Sequence, residues 1–338
     1  MEISAIGIDL AKNVFQVHGA DKFGKPVLRR TLSRGKVIGY FSRLKPCLVG
    51  MEACSSSHYW ARELIALGHE VKLMPPQYVK PYVKTNKNDA ADAEAICEAL
   101  VRPTMRFVEV KSPDQQVLML VHREREGAIK ERTALINRLR ATLAEFGITI
   151  PAGPSRMKRW FSQEYGSVEH NCSELLRRHV RKMQDRLESL EQYIASLDLE
   201  IDQCSRENEA CKRLESVPGI GRLTASALVA SVGQGHAFRS GRQFAAWLGL
   251  VPKQYSSGGK QRLQGISKRG DSYLRRMLIH GARAVIRHMS PKRATTDWLV
   301  SLSLRAHKNV VIVALANKLA RIAWALLSKG SRYQEMTA

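Results

Sequence analysis

Short apolar runs divide the first hundred residues, and each run stops at a polar turn or an acidic residue. Residues 3–8 and 13–19 predict two strands paired as a hairpin, and a third strand completes a meander. A fourth strand ends at Glu52, a helix covers about Ser57 to Leu67, and residues 70–74 form a fifth strand. This pattern predicts an α/β domain over residues 1–105.

Two long helices follow this domain. Ser112 can cap a helix with Pro113 at its first position, and the apolar stripe beyond it predicts a helix to about Phe146. The second helix repeats apolar residues at alternating steps of four and three, namely Leu176, Val180, Met183, Leu187, Leu190, Ile194, Leu197, Ile201 and Cys204. Such a heptad stripe pairs either with another chain or with the first helix in an internal hairpin. The register of the repeat alone does not distinguish these two kinds of pairing.

The last third of the chain is helical and contains two glycine-rich turns. The segment Pro218-Gly-Ile-Gly221 is typical of a helix-hairpin-helix motif, in which Gly219 and Gly221 let backbone amides approach a phosphate. The alternative is a tight turn between helices that binds nothing. We therefore divide the chain into residues 1–105, 106–210 and 211–338, which gives an α/β domain, a pair of long helices and an all-α domain.

Charge identifies the class of partner. The chain carries 54 lysines and arginines against 31 acids, a net charge of +23, and 17 of those cations but only three acids lie from Val251 onward. An excess of this size indicates a polyanionic partner, with nucleic acid as the leading candidate. The candidate phosphate contacts are Lys260, Arg262, Lys268, Arg269, Arg276 and Arg283. The alternative is that these are ordinary cations on a solvated surface, which need no ligand.

Cysteine spacing and hydropathy exclude other classes. None of the six cysteines forms a Cys-x-x-Cys pair, which argues against a zinc site and a disulfide framework and fits a reducing cytosol. The N-terminus lacks a signal pattern, and the apolar run at 310–316 is followed by Asn317, Lys318 and Arg321. We therefore expect a cytoplasmic protein that does not span a membrane.

Four acids stand where they could share a metal. Asp9 and Glu52 end predicted strands, and Asp89 and Asp92 lie three residues apart on one face of a predicted helix that Asn88 can cap. Carboxylate oxygens select Mg²⁺ or Mn²⁺, and a two-metal site stabilises both oxygens of a phosphodiester transfer. Taken singly, Asp9 could instead cap a turn, Glu52 could pair with a lysine, and the two aspartates could merely favour a helix N-terminus. A sugar-kinase-like ATPase also begins with Gly-Ile-Asp, but no later glycine-rich phosphate loop of that kind follows.

The polar loop over residues 253–270 permits two interpretations. It is either a flexible basic clamp on a DNA backbone or a loop in which one serine attacks a phosphodiester. A phosphoserine ester would conserve the bond energy for later rejoining. Because the loop contains no histidine to take the proton, metal held by the acidic domain is the plausible activator, and the two domains, from one protomer or two, would have to meet over DNA.

Four segments together resemble the DEDD transposases of the insertion-sequence one-ten family: Gly7-Ile-Asp-Leu-Ala-Lys12, Gly50-Met-Glu-Ala53, Lys87-Asn-Asp-Ala-Ala-Asp-Ala93 and Ser256-Ser-Gly-Gly-Lys260. The resemblance covers nearly the whole chain. It implies an N-terminal domain similar to RuvC, a resolvase of ribonuclease H fold, and a nucleophile at Ser257, with neighbouring Ser256 the alternative. It also implies a recombinase that a structured bridge RNA guides to double-stranded DNA, and it favours pairing of the heptad stripe into dimers or tetramers.

The sequence thus predicts a recombinase that uses Mg²⁺ or Mn²⁺ at Asp9, Glu52, Asp89 and Asp92. Two other classes remain: a metal-dependent junction nuclease that only hydrolyses, in which Ser257 merely grips a phosphate, and a nucleic-acid scaffold without catalysis. A covalent DNA–protein adduct distinguishes the first class from the other two.

Overall fold

The computed structural model describes residues 2–84, 88–169, 172–288 and 297–334. Lys87, which belongs to the predicted basic connection and to one family motif, lies outside them. The chain forms two compact units, of which the first contains Met1–Pro113 with Val232–Ser240 and the second contains Asp114–Ser231 with Gly241–Ala338. This division differs from the three consecutive segments expected from the sequence, because the long helices and the C-terminal helices share one unit.

The first unit is built on a five-stranded sheet whose spatial order is β3-β2-β1-β4-β5. Its strands are β1 Ala5–Asp9, β2 Val14–Ala20, β3 Pro26–Ser33, β4 Leu48–Glu52 and β5 Glu70–Met74. The first three strands form an antiparallel meander, and β4 and β5 run parallel to β1. All five predicted strands are confirmed, and the mixed sheet is consistent with a ribonuclease-H-like domain.

Helices cover both faces of this sheet. They are α1 Val37–Phe41, α2 Ser57–Ala66, α3 Pro76–Val79 and α4 Asp89–Leu100, with short 3-10 turns at Arg34–Lys36 and Lys80–Tyr82. On one face Ile6, Ile8 and Met51 pack against α1 and α2 in an apolar core. The opposite face carries Ala5 and the small residues on which α4 lies. Because side chains alternate along a strand, Asp9 lies on this α4 face.

The remaining elements are mostly helical. They are α5 Pro113–Ala144, α6 Pro154–Gln163, α7 Tyr165–Glu169, α8 Glu174–Glu207, α9 Glu209–Glu215, α10 Arg222–Val232, α11 Gly241–Trp247, β6 Pro252–Gln254, β7 Leu263–Ile266, α12 Ser272–His288, α13 Asp297–Arg305 and α14 Lys308–Lys329. Both predicted long helices are confirmed as α5 and α8, with ends within a few residues of the expected ones.

Most of the heptad stripe of α8 is buried within the chain, although Met183 and Leu190 are only partly buried and Cys204 is exposed. Leu187 and Ile194 are 5% and 6% exposed, and the first half of the stripe, from Leu176 to Leu190, shares an apolar cluster with Leu139 of α5 and Trp160 of α6. Arg125 Nε in the first half of α5 donates to Asp198 Oδ1 in the second half of α8 at 2.5 Å, and Arg138 further along α5 lines a groove with His179 near the start of α8, so the two helices run antiparallel. The structure thus pairs most of this stripe with helices of the same chain, which is the internal alternative, and pairing between chains stays a prediction.

Helix α14 is long and apolar enough to cross a membrane by length and composition alone. Lys318 and Arg321 do not interrupt it, contrary to the sequence expectation. Half of its most apolar window is nevertheless buried, and Ala316, Ala320 and Ala323 are fully buried beneath neighbouring helices. This burial pattern is that of a core helix of a globular unit.

Candidate active site and nucleic-acid surface

Three of the four predicted metal ligands lie together. Asp9, Asp89 and Asp92 each offer a carboxylate oxygen, and these oxygens lie within 4.8 Å of one another. Asp9 comes from the end of β1, whereas Asp89 and Asp92 occupy the first turn of α4, three residues apart. Asp9 and Asp92 are half-buried and Asp89 is exposed, so the cluster opens to solvent.

Two local features bring α4 to the end of β1. The side chain of Asn88 accepts a hydrogen bond from Ala91 N at 2.8 Å, which confirms the predicted cap and fixes where the helix begins. Gly7 lies directly under the helix, where an added Cβ would stand 2.3 Å from Ala93 O and 2.5 Å from Cys97 N. Glycine at this position therefore lets the helix backbone approach the strand.

Glu52 ends the neighbouring strand on the same face. Strands β1 and β4 are parallel and pair Ile8 with Met51, so Asp9 and Glu52 follow side by side at their carboxyl ends. Glu52 does not belong to the 4.8 Å group. Glu52 does lie close to the Cys54 thiol. Burial is the main cause that raises the pKa of this thiol, and the negative charges of Glu52 and Asp9 raise it further.

The donor set fits a hard divalent cation. It consists of carboxylate oxygens from two secondary-structure elements, with a further carboxylate on the adjacent strand. Mg²⁺ and Mn²⁺ prefer such oxygen ligands, whereas the described residues offer no thiolate or imidazole within this cluster. The geometry therefore suits metal-assisted chemistry on phosphate esters.

The serine-bearing segment is a two-stranded ribbon rather than the expected flexible loop. Strands β6 and β7 pair antiparallel, and Ser257 pairs with Lys260 across the turn. Gly258 and Gly259 have φ values of 55° and 75°, and Lys260 N donates to Ser257 O at 3.1 Å. Positive φ at both central residues is the requirement of a type I′ hairpin turn, which two glycines meet without strain.

Both serines are exposed beside the ribbon's tip. Ser256 Oγ accepts a hydrogen bond from Gln254 Nε2 at 2.9 Å. Within the described part of the chain, no such contact occupies the hydroxyl of Ser257, the last residue before the turn. The Ser257 hydroxyl is therefore the more available of the two.

The base of the ribbon is tightly packed. A Cβ at Gly270 would stand 1.8 Å from Trp247 O, and one at Gly249 would stand 2.4 Å from Arg269 O. Arg275 Nη1 donates to the carbonyls of Leu248 and Arg269, at 2.9 Å in each case. The ribbon thus projects from a rigid base, which the sequence analysis missed.

The predicted phosphate contacts differ in their surroundings. Lys260 and Arg262 are exposed on the ribbon, and Lys268 and Arg269 are exposed at its base, where Lys268 has a φ of 55°. Arg283 is exposed on α12. Arg276, by contrast, donates to Glu126 Oε1 at 2.8 Å, so an acid already compensates its charge.

Two models of known protein families match this chain. Residues 6–148 match a family model described as "Transposase", and residues 211–297 match the "Transposase IS116/IS110/IS902 family". The "Probable family 20 transposase" of Pseudomonas aeruginosa is 52% identical, over 99% of this chain and 99% of its own. The chain belongs to the IS116/IS110/IS902 family of transposases.

Two further relatives of this transposase match almost its full length. The transposase for insertion sequence element IS1328 of Yersinia enterocolitica is 41% identical over 98% of this chain and 99% of its own. The transposase for insertion sequence element IS1111A of Coxiella burnetii is 41% identical over 98% and 92%, respectively. The resemblance predicted from the motifs is confirmed. The family implies DNA as the partner. The family match over residues 6–148, which contain the four predicted acids, suggests dependence on a divalent metal.

The two glycines for which the sequence predicted a helix-hairpin-helix motif have different surroundings. Gly219 has a φ of 93° and packs against α12, where a Cβ on Gly281 would stand 1.9 Å from Gly219 O. Gly221 is exposed, and its carbonyl accepts hydrogen bonds from Thr224 N and Ala225 N at the start of α10. Internal packing alone therefore accounts for glycine at 219, and Gly221 is the one whose surroundings leave space for a ligand.

A buried polar network in the transposase carried no sequence signal. His122 of α5 is 4% exposed and lies 3.0 Å from Tyr273 Oη and 3.1 Å from Ser226 Oγ. Because the Ser226 hydroxyl donates to Arg222 O, His122 Nε2 donates to Ser226, and Nδ1 accepts from Tyr273. Burial and nearby Arg125 lower the pKa of His122 to about 4, so the imidazole is neutral at pH 7.

Proposed function

We propose that this transposase cuts and rejoins DNA strands with two groups: a metal-binding carboxylate set at Asp9, Glu52, Asp89 and Asp92, and a nucleophilic serine at Ser257. The observation that carries the proposal is the convergence of Asp9, Asp89 and Asp92 within 4.8 Å at the end of the sheet. Three carboxylates so close together repel one another unless cations neutralise them. In a family of DNA transposases, this favours a catalytic site over a helix end that merely attracts acids.

The carboxylates would hold Mg²⁺ or Mn²⁺. Asp9 and Asp92, both half-buried, would serve as the positioned ligands, Asp89 would close the site from solvent, and Glu52 would complete it from β4. Bound metal would supply Lewis-acid stabilisation of charge on the phosphate. Substitution of one carboxylate by its amide keeps the shape of the side chain and removes the charge, which makes it the cleanest test.

Ser257 would act by transesterification. Its Oγ would form a bond to phosphorus while the bond from phosphorus to the leaving deoxyribose oxygen breaks, and the hydroxyl proton would pass to that oxygen through solvent. The number of phosphodiester bonds is conserved, so the reverse reaction rejoins strands without ATP. Exposed Lys260 and Arg262, on the strand opposite Ser257, would hold the DNA backbone at the ribbon.

A structured bridge RNA would supply the target sequence. The net charge of +23 exceeds what solubility needs and could serve two nucleic acids at once. Recombination of a two-plasmid substrate with and without the transcribed element RNA tests this part separately. Equal recombination after ribonuclease treatment would remove the guide from the proposal.

The acidic site is tested with Asp9→Asn and Asp92→Asn. Both variants should fold normally and lose strand cleavage, because removal of one negative charge leaves the charge of the metal under-neutralised. Glu98→Gln is the matched control, since Glu98 lies on the same helix but pairs with Lys84 outside the cluster. Wild-type cleavage by either aspartate variant would contradict the shared-metal site.

The serine is tested by trapping the covalent adduct on a denaturing gel. Ser257→Ala should bind DNA like wild type and form no adduct, whereas Ser256→Ala, the matched control one residue away, should retain it. Peptide mapping identifies the phosphorylated residue. Phosphate on Ser256 would move the nucleophile there, and cleavage without any adduct would favour the purely hydrolytic nuclease.

A further inference from the structure

The α5–α8 hairpin is polarised along its length. Between residues 130 and 186, which include its free end and the short helices there, the chain has twelve lysines and arginines against six acids. Between residues 187 and 207, in the other half of α8, it has one arginine against six acids. A helix pair that served only to bury an apolar stripe would not need this separation of charge.

The basic half contains a groove of about 320 Å³ between the two helices. Arg138 lines it from α5, and His179, Lys182 and Arg186 line it from α8. Lys182 and Arg186 are one helical turn apart, so their side chains extend over the same face. Leu135 and Met183 form an apolar floor, which suits the sugar face of a nucleotide as well as its phosphate.

The cations of this groove are not used inside the protein. On the same helices, Lys130 pairs with Glu126, Arg181 with Glu169, and Arg206 with Asp202. Among the residues that the structure describes, no acid lies within ion-pair distance of Arg138, Lys182 or Arg186. Three uncompensated cations around one groove repel one another, and an anion from outside the chain would relieve that repulsion.

We propose that this groove binds the phosphate backbone of double-stranded DNA. Because the chain belongs to a transposase family, DNA is the polyanion that the protein is expected to bind. The groove lies on different elements from the carboxylate cluster and the serine ribbon. The contact positions the duplex without reading its sequence, since cations on a helical face recognise phosphates rather than base edges. The long helices thus form a DNA-binding arm as well as a structural hairpin.

The test compares two triple variants of equal charge in the full-length protein. The groove variant is Arg138→Gln, Lys182→Gln and Arg186→Gln, and the control is Lys130→Gln, Arg181→Gln and Arg206→Gln, whose cations are already paired. Fluorescence anisotropy with a labelled duplex measures the observed association constant over a range of salt concentrations. The plot of log K against log salt has a negative slope, and each lost phosphate contact makes it shallower by about 0.9. The slope of the groove variant should therefore be shallower than that of wild type by roughly 2.7, and the slope of the control should change far less.

Several outcomes would overturn the proposal. Equal losses in the two variants would show a general effect of net charge, and an unchanged slope in the groove variant would show that DNA does not occupy the groove. Loss of binding to a structured RNA hairpin with unchanged binding to duplex DNA would assign the groove to RNA instead. Circular dichroism confirms that both variants keep their helices, and Lys182→Gln alone, with an expected loss of about 0.9, gives a milder second test.

Discussion

The substitution Gly7→Ala tests how the acidic cluster is assembled without touching any acid. An added Cβ would stand 2.3 Å from Ala93 O and 2.5 Å from Cys97 N, both of which are backbone atoms of α4. Ordinary contact begins near 3.4 Å, so the helix must move away by about 1 Å. Overpacking of this kind costs about 1–3 kcal/mol in the free energy of unfolding.

The larger effect should fall on catalysis. Asp89 and Asp92 move with α4 whereas Asp9 stays on β1, and ligand distances at a metal tolerate only about 0.2 Å of change. A displacement near 1 Å can reduce a rate on the order of 100-fold. Cleavage of supercoiled plasmid at saturating Mg²⁺ measures the rate, and manganese electron paramagnetic resonance measures metal affinity independently of turnover.

Gly50→Ala is the matched control on β4. Its added Cβ would stand 2.9 Å from Leu100 Cδ2 and 3.0 Å from Met74 Cε, which are the ends of flexible side chains. Those side chains can rotate away while α4 stays in place, so this variant should lose some stability and keep most of its activity. Normal metal affinity and cleavage in Gly7→Ala would refute the argument that Gly7 positions the acids.

Two further predictions concern the second unit. The unfolded chain protonates His122 near pH 6.5 and the native chain only near pH 4, so the free energy of unfolding should fall by up to roughly 3 kcal/mol as pH drops through that interval. Urea titrations measure this fall, and His122→Gln should flatten it; a wild-type pH dependence in that variant would assign the effect to other groups. Leu187→Ala should cost about 2–5 kcal/mol, with a melting temperature independent of protein concentration because the packing partner of Leu187 is in the same chain. A melting temperature that rises with concentration would restore pairing between chains.

Local pattern predicted those parts of the protein that depend on near neighbours in sequence. The strands ending at Asp9 and Glu52 follow from apolar runs, and the start of α4 follows from the cap at Asn88. That these acids approach one another depends on parallel pairing of β1 with β4 and on the contact over Gly7. The sequence suggests such long-range packing only through the family motifs.

Other features were missed or left open because their signals in the sequence are ambiguous. The serine ribbon is exposed along its length, so its strands lack the alternation of a half-buried sheet, although Gly258-Gly259 is a known hairpin signal. The stripe on α8 fits an internal partner as well as an external one, and only the packing of Leu139 and Trp160 distinguishes them. The segment Val232–Ser240 packs with the first unit although it is far from that unit in sequence, and no local sequence pattern predicts this.

The ribbon also limits how the chain can vary in length. From its packed base, the six residues Pro252 to Ser257 span roughly 20 Å at about 3.3 Å per residue. One residue added to each strand would extend this reach by one step, but it would also turn the tip over, because successive positions face opposite sides. Insertions that preserve the direction of the Ser257 hydroxyl must therefore come as two residues on each strand. The length of the ribbon and the direction of the Ser257 side chain therefore cannot vary independently, because both depend on the two-residue period of the strands.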